Sequence, residues 1–368
     1  VNVAHSRPAI SLVIPHFNRR EYLAAVLASA FSQDFREFEV VVADDASTDD
    51  SADVIPALLA DSGLRTEYIR HATNVGFGEN LKSALLASTG EYVLLLGNDD
   101  ALLDEHILGL LREDLERLSR PEVSFTNAIS DSDFRYDTTS PTLYRRALDT
   151  SVLGTGPNVA ISNLRSTSFV GGLIFERRAM RQAVASVPRA TLFFQSALMA
   201  SIVANGGRLA AISRPAVIQS IRVDGALAPS YSPPGSPEPV EPEGTNAALL
   251  EALWLGLTTA IPVDDASRGV RKAYTDIAFF AVLPAVLLNR RAATGSSQRR
   301  RRLLAGIDPR WIEEFVGDES FSLRSAWTRM IYRFACGLGR TLPSSAMRLQ
   351  APLAAAVRRL RTRQRGRG

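Results

Sequence analysis

The chain has a single cysteine, Cys336, among 368 residues. It cannot form an internal disulfide, and no paired Cys and His spacing suggests a zinc site. The sequence also lacks an apolar run long enough to cross a bilayer. Ile277 to Leu288 is about 12 residues and contains Pro284, whereas a membrane helix needs roughly 20. Ala247 to Val263 is longer but carries Glu251 and is interrupted by Pro262. No signal peptide is visible, because polar and charged residues precede the short run Ile10 to Ile14, which stops at Pro15. These absences predict a cytoplasmic protein.

Acids are missing from the C-terminal end. Seven arginines and no acid lie between Arg348 and Arg367, and Arg299 to Arg302 is a basic run, although the net charge is only +3. One reading is a solvated tail; the other is attraction to anionic lipid headgroups at the inner face of the cell membrane. Nucleic acid is not expected as a partner, since no stacking aromatics are interleaved with those arginines.

What is present is ordinary for a globular chain, with 46% apolar and 22% charged residues. From Ala9 onward strand-like and helix-like patterns alternate. Ile10 to Ile14 precedes Tyr22, Leu23, Val26, Leu27, Ala30 and Phe31 at helical spacing. Phe38 to Ala43 reads as a buried parallel strand and Arg65 to Arg70 as a weaker one. Asn74 to Asn80 opens a helix that Gly90 ends, Glu91 to Leu96 is a fourth strand, and Asp104 caps the next helix. Val123 to Asn127, Phe169 to Phe175 and Leu209 to Ile212 are further strands, and a helix covers about Leu192 to Ala204.

This pattern predicts a doubly wound α/β domain over residues 8–225. A proline-rich linker or lid follows over 226–245, then a helical C-terminal region over 246–345 and a basic tail over 346–368.

Ligands of such sheets bind beyond the carboxyl ends of the strands, where two acidic clusters fall. Asp44 and Asp45, with Ser47 and Asp49, end the second strand, where a carboxylate can accept from a base N–H or a ribose hydroxyl; a polar turn capping the next helix is the plainer alternative. Asp99 and Asp100 leave the fourth strand side by side. Adjacent carboxylates repel unless a cation offsets them, and Mg²⁺ or Mn²⁺ accepts such ligands together with substrate phosphates.

Four stretches in this order, Ser11 to Asn18 (SLVIPHFN), Val40 to Asp49 (VVVADDASTD), Asn74 to Asn80 (NVGFGEN) and Gly90 to Asp100 (GEYVLLLGNDD), resemble the family 2 glycosyltransferases. The resemblance implies a GT-A fold with a mixed sheet and transfer of a sugar, with inversion, from a nucleotide-diphosphate sugar to an acceptor hydroxyl. It implies that Pro15 and Phe17 flank the base, that Asp45 binds it, and that Asp44 and Ser47 support that loop. Asn18, Asn74, Gly76 and Asn80 fall in the matching stretches on the nucleotide side. Asn98-Asp99-Asp100 is similar to the family's DXD motif with its first acid replaced, so that Asp99 faces ribose or diphosphate and Asp100 holds the metal. An aspartate accepting from a base N3–H suits UDP or dTDP sugars better than CDP sugars.

Phe169 to Arg178 resembles a subgroup related to O-antigen abequosyltransferases, which implies a glycan or lipid-linked acceptor in surface polysaccharide assembly. Here one expected residue is missing. Inversion needs a carboxylate to take the acceptor's proton, yet no acid lies between Glu176 and Asp224, and Gln195 stands in the helix where the family's base belongs. The base is then Asp131, Asp133 or Asp137, or it is Glu176, or the protein is a non-catalytic nucleotide-sugar-binding scaffold. A sugar nucleotidyltransferase is disfavoured by the lack of a glycine-rich loop with a following arginine after the first strand. His16, in the nucleotide loop, could touch a phosphate but is more simply a chance neighbour.

Overall fold

The structure is a computed structural model and describes residues 7–130, 142–144, 147–223, 226–227 and 242–277. Strand β1 (Ile10–His16), β2 (Phe38–Asp44) and β4 (Tyr92–Leu95) are buried along their whole length, as their mainly β-branched and apolar sequences suit central parallel strands. Between them lie α1 (Arg20–Phe31), α2 (Ser51–Asp61), β3 (Arg65–Arg70) and α3 (Phe77–Ala87). In α1 the residues Tyr22, Leu23, Val26, Leu27 and Ala30 form the buried stripe that their spacing predicts.

The chain continues through β5 (Ala101–Leu102), α4 (Ile107–Arg117), β6 (Val123–Ser130), β7 (Thr142–Tyr144), β8 (Ser151–Gly154) and α5 (Pro157–Asn163). A 3-10 turn (Leu164–Thr167) leads to β9 (Leu173–Glu176), α6 (Arg177–Ser186), α7 (Phe194–Ala204) and β10 (Leu209–Gln219). The short β11 (Arg222–Val223) and β12 (Ala226–Leu227) pair with each other, and α8 (Pro242–Leu257) and α9 (Val263–Ile277) complete the described chain.

The main sheet has the order β3-β2-β1-β4-β9-β6-β10-β5. Strands β3, β2, β1 and β4 are mutually parallel, and β6 is parallel to β10. Strand β9 runs against both β4 and β6, so the sheet is mixed and the carboxyl ends of β1, β2, β4 and β6 all point the same way. One apolar cluster, with Leu12, Ile14, Leu27, Val40, Leu94 and Leu111 among its members, fills the space between this sheet and its helices.

Three boundaries differ from expectation. Residues 169–172 precede β9 instead of belonging to it; Gly172, at φ 80, donates its N–H to the Leu95 carbonyl at 3.0 Å. Helix α4 begins at Ile107 with no side-chain cap, while Asp104 accepts from the His106 amide at 3.0 Å one turn earlier. Helix α8 starts at Pro242, inside the stretch expected to be linker, since proline is compatible with the first turn of a helix.

The chain divides into two compact units, Val1–Val240 with Ala252–Gly269, and Glu241–Glu251 with Val270–Gly368. In the first, a Cβ at Gly256 would lie 2.3 Å from the Ala197 carbonyl oxygen, so α8 from Ala252 onward belongs against α7. In the second, the described residues are helical, from α8 and α9.

The end of the sheet away from the acidic turns is held by Glu39. Its buried carboxylate accepts from Ser11 Oγ at 2.6 Å, the Thr89 amide at 2.6 Å, Thr89 Oγ1 at 2.7 Å and the Gly90 amide at 3.2 Å. Replacing it by alanine leaves several of these donors without a partner, at about 1–3 kcal/mol for each one kept from water. We expect Glu39→Ala to lower the urea midpoint by an amount corresponding to roughly 3 kcal/mol. A midpoint unchanged within error would contradict this role.

Candidate functional site

The loops that leave β1, β2 and β4, and the one that enters α3, meet at the carboxyl ends of the strands and are tied together by side chains. Asp44, fully buried, ends β2 and accepts from the Ser47 amide at 2.8 Å, Ser47 Oγ at 2.5 Å and the Tyr68 hydroxyl at 2.7 Å. Burial, with the bond to Asp44, raises the Tyr68 pKa above the ordinary tyrosine value. Ser47 Oγ in turn accepts from the Asn18 amide at 2.8 Å, and Asn18 Oδ1 accepts from the Thr48 amide at 2.8 Å. Asn80 Nδ2 donates to the His16 carbonyl at 3.2 Å and the Ala43 carbonyl at 2.9 Å, fastening α3 to β1 and β2.

Asp45 joins the second loop to the turn before α3. It is 2% exposed, and its oxygens accept from the Val75 amide at 2.6 Å and the Gly76 amide at 2.9 Å. Its visible work is to hold the turn before α3, where Asn74 Oδ1 also accepts from Gly76 at 3.0 Å. Phe17 is half-buried beside that assembly, Pro15 is buried in β1, and Val75 is 42% exposed.

His16 is bonded into the same assembly. It is 1% exposed and lies between the first and fourth loops, with Nδ1 3.2 Å from Asn98 Nδ2 and Nε2 2.9 Å from Ser51 Oγ. Burial lowers its pKa to about 4 against the opposing pull of Asp44 and Asp49, so the ring is neutral at pH 7. A neutral ring that accepts from Asn98 at Nδ1 must carry its proton on Nε2. That proton is donated to Ser51 Oγ, which donates to Asp49 Oδ1 at 2.5 Å. The polar chain thus runs from Asn98 through His16 and Ser51 to Asp49, whose other oxygen accepts from the Arg20 amide at 3.1 Å.

The two adjacent acids differ in exposure. Asp100 is 2% exposed; Oδ1 accepts from the Ser220 amide at 3.0 Å and Oδ2 from the Gly97 amide at 3.3 Å. A Cβ at Gly97 or at Gly171 would come within 2.6 Å of that Oδ2, so the glycines make room for a buried carboxylate. A group so enclosed is a poor first choice for a metal ligand. Asp99 is the accessible one, with a side chain 27% exposed and Oδ2 3.2 Å from Arg19 Nη1. The same Nη1 donates to Asn98 Oδ1 at 3.3 Å.

No three His, Cys, Asp or Glu side chains gather into a metal cage among the described residues. The oxygens of Asn98 and Asp99 nevertheless converge on one positive charge. Such a partial donor set suits Mg²⁺ or Mn²⁺, which keep waters and take phosphate oxygens, better than an all-protein site.

Of the base candidates, Glu176 is at the wrong end. It pairs with Tyr92 at the start of β4, three residues before Leu95, and it caps α6 by accepting from the Arg178 amide at 2.9 Å and the Ala179 amide at 2.7 Å. Three strand residues span about 10 Å, which removes it from the acidic turns. Asp131, Asp133 and Asp137 lie outside the described residues. Gln195, 1% exposed, donates Nε2 to the Ser168 carbonyl at 2.9 Å.

The family model for glycosyl transferase family 2 matches residues 11–149, the stretch that supplies every one of these loops. Residues 11–149 are a glycosyl transferase family 2 domain. Among relatives of this domain, a GalNAc(5)-diNAcBac-PP-undecaprenol beta-1,3-glucosyltransferase of Campylobacter jejuni is 31% identical over 106 residues, which cover 29% of this chain and 34% of that protein. Abequosyltransferase RfbV of Salmonella typhimurium is 32% identical over 100 residues, 27% of this chain and 30% of that protein. The chain thus spans about a third of the length of these curated relatives. Staphylococcus aureus TarS 1-349, solved with UDP-GlcNAc, superposes with a TM-score of 0.58 at 15% identity, over 92% of this chain and 91% of that one. The family 2 domain therefore has the GT-A fold.

Sequence reasoning missed His16, Arg19, Tyr68 and Ser220 as partners of the motif residues. Tyr68 was within reach of it, since Tyr68 and Arg70 alternate on a strand ending beside Asp44. Ser220, 120 residues from its partner Asp100, carried no such signal.

Proposed function

We propose that the protein is a glycosyltransferase that moves a sugar from a nucleotide-diphosphate sugar to an acceptor hydroxyl, with inversion. The observation that carries this is a part-exposed carboxylate, Asp99, set beside Arg19 where the hydrogen-bonded loops of a family 2 domain converge.

In this reading the base lies against Phe17 and the turn around Asn74 and Gly76, and the diphosphate reaches Asp99 and Arg19. Asp99, with the Asn98 amide oxygen, would hold Mg²⁺ or Mn²⁺, which when bound would supply Lewis-acid stabilisation of the leaving diphosphate's charge. The acceptor oxygen forms a bond to the anomeric carbon while the bond from that carbon to the phosphate oxygen breaks. Its proton goes to a carboxylate, which we assign to Asp131, Asp133 or Asp137, because β6 ends at Ser130 on the acidic-turn side of the sheet. His16 stays neutral throughout and fixes the Asn98 amide so that its oxygen faces the cation position.

No helix among the described residues is long and apolar enough to cross a membrane. We assign a cytoplasmic place at the inner membrane face, with a glycan or lipid-linked acceptor in surface polysaccharide or glycolipid assembly. The named activities of the Campylobacter and Salmonella relatives support that acceptor class. UDP and dTDP sugars are the first donors to test, since TarS was solved with UDP-GlcNAc.

Calorimetric titration of UDP, dTDP, CDP and GDP with and without Mn²⁺ tests the reading. The expected result is metal-dependent binding of one nucleotide with a Kd in the range of about 1 μM to 1 mM. Binding of none would remove the donor-site assignment. Binding without any consumption of the matching sugar nucleotide would favour the scaffold alternative, for which the absence of an acid in α7 speaks.

A further inference from the structure

Two arginines stand side by side at the start of α1, and they do opposite things. Arg20 turns outward, with Nε 2.8 Å from Asp50 Oδ1 and Nη2 3.3 Å from Glu21. Arg19 turns inward, its side chain 17% exposed, and one of its nitrogens reaches both Asn98 Oδ1 at 3.3 Å and Asp99 Oδ2 at 3.2 Å. The backbone is shaped for this. Asn18 and Arg19 are consecutive non-glycine residues in the left-handed region, at φ 53 and φ 63. Such a conformation costs roughly 1–2 kcal/mol per residue and persists only where surrounding bonds over-determine it. Those bonds are present, since Asn18 is held by Ser47 and Thr48 on one side while Arg19 reaches across to the fourth loop on the other.

We propose that Arg19 is a resident counter-ion for the donor site, occupying the Asn98 and Asp99 oxygens until a metal ion and a sugar-nucleotide diphosphate arrive together. This rests on the donor-site reading above and adds to it a coupling residue. A guanidinium keeps its charge at every working pH, and its planar fork matches phosphate oxygens. While Arg19 sits on Asp99, a divalent cation must displace it, which weakens metal binding to the empty site. Once a diphosphate is present, the displaced guanidinium has a second anion to pair with, so the penalty disappears. Metal and nucleotide then favour each other through one side chain, and by linkage each must strengthen the other by the same factor.

The test uses the full chain and needs no turnover. Mn²⁺ binding is measured by calorimetry for wild type, Arg19→Gln and Arg19→Lys, each with and without saturating UDP. For wild type, UDP is expected to tighten Mn²⁺ by roughly tenfold or more, within the usual range of coupling between sites. In Arg19→Gln, Mn²⁺ alone binds about tenfold more tightly than to wild type and the effect of UDP shrinks below about threefold. Arg19→Lys keeps the charge without the fork, and it falls between the two. If Arg19→Gln binds Mn²⁺ no better than wild type and the UDP effect is unchanged, Arg19 merely anchors the loop and the proposal is overturned while the donor site stands. If wild type binds neither UDP nor the other nucleotides with Mn²⁺, the donor-site reading fails and takes this inference with it.

Discussion

Replacing Asp99 by asparagine is expected to slow sugar transfer by about 10³-fold, the size of effect seen when a preorganised charge-stabilising group is removed, with little change in thermal midpoint. Asp99 carries a part-exposed ion pair with Arg19, and such pairs contribute about 1 kcal/mol or less to folding. Its neighbour should behave in the opposite way. Asp100 accepts two backbone amides in a buried pocket that Gly97 and Gly171 leave open for it. An asparagine there offers one acceptor oxygen and turns an NH₂ toward an N–H, at a cost of about 1–3 kcal/mol. Asp100→Asn should therefore lower the midpoint first and lose activity in proportion to the folded fraction. Measuring transfer rate and urea midpoint on both variants separates the roles. A fully folded Asp100→Asn without activity, beside an active Asp99→Asn, would restore the order expected from the motif.

The second large effect is an acid sensitivity centred on His16. Its pKa is about 4 in the folded protein, against an ordinary value of 6.5. Between these values the unfolded chain takes up a proton that the folded chain refuses, so unfolding gains from every drop in pH. The penalty is absent above about pH 6.5, grows as pH falls toward about 4, and is then complete at about 3 kcal/mol, taking 1.36 kcal/mol per pH unit. Urea midpoints at pH 7, 5.5 and 4 should show this decline in wild type and a shallower one in His16→Gln, which has no proton to gain. Equal slopes would mean that the neutral ring is not what resists acid. Protonation of the folded protein, reached only as the pH nears about 4, would place an N–H opposite Asn98 Nδ2 and turn that amide away from its partner, so transfer per folded molecule should fall off there and not between pH 6.5 and 5.

How far the sequence reached depended on the range of the interactions. The mainly apolar runs of β1, β2 and β4 announce central strands, and the acidic residues after them announce a ligand end, because both signals are local. The division between Asp99 and Asp100 is not local. It is decided largely by Ser220 and Gly171, which a motif read along the chain does not bring to Asp100. His16 illustrates the same limit, since its meaning comes from Asn98 and Ser51, 82 and 35 residues away. The irregular second half was hardest to read, because β9 is short and reversed, and a reversed strand of four residues has no periodicity that tells it from its neighbours.

That reversed strand has a consequence for how the molecule could change. On one side of β9 the sheet is built from residues 10–95 in one continuous stretch of chain, and on the other side from strands that begin at residue 101 or later. Between β4 and β9 there is thus a seam where the part we assign to the nucleotide ends and a separately encoded part begins. Two proteins of this architecture could exchange everything beyond the seam while each kept its own nucleotide half intact. The buried acid beside it sets the condition, for Asp100 must find an amide like that of Ser220 and a glycine like Gly171 in whatever is joined to it.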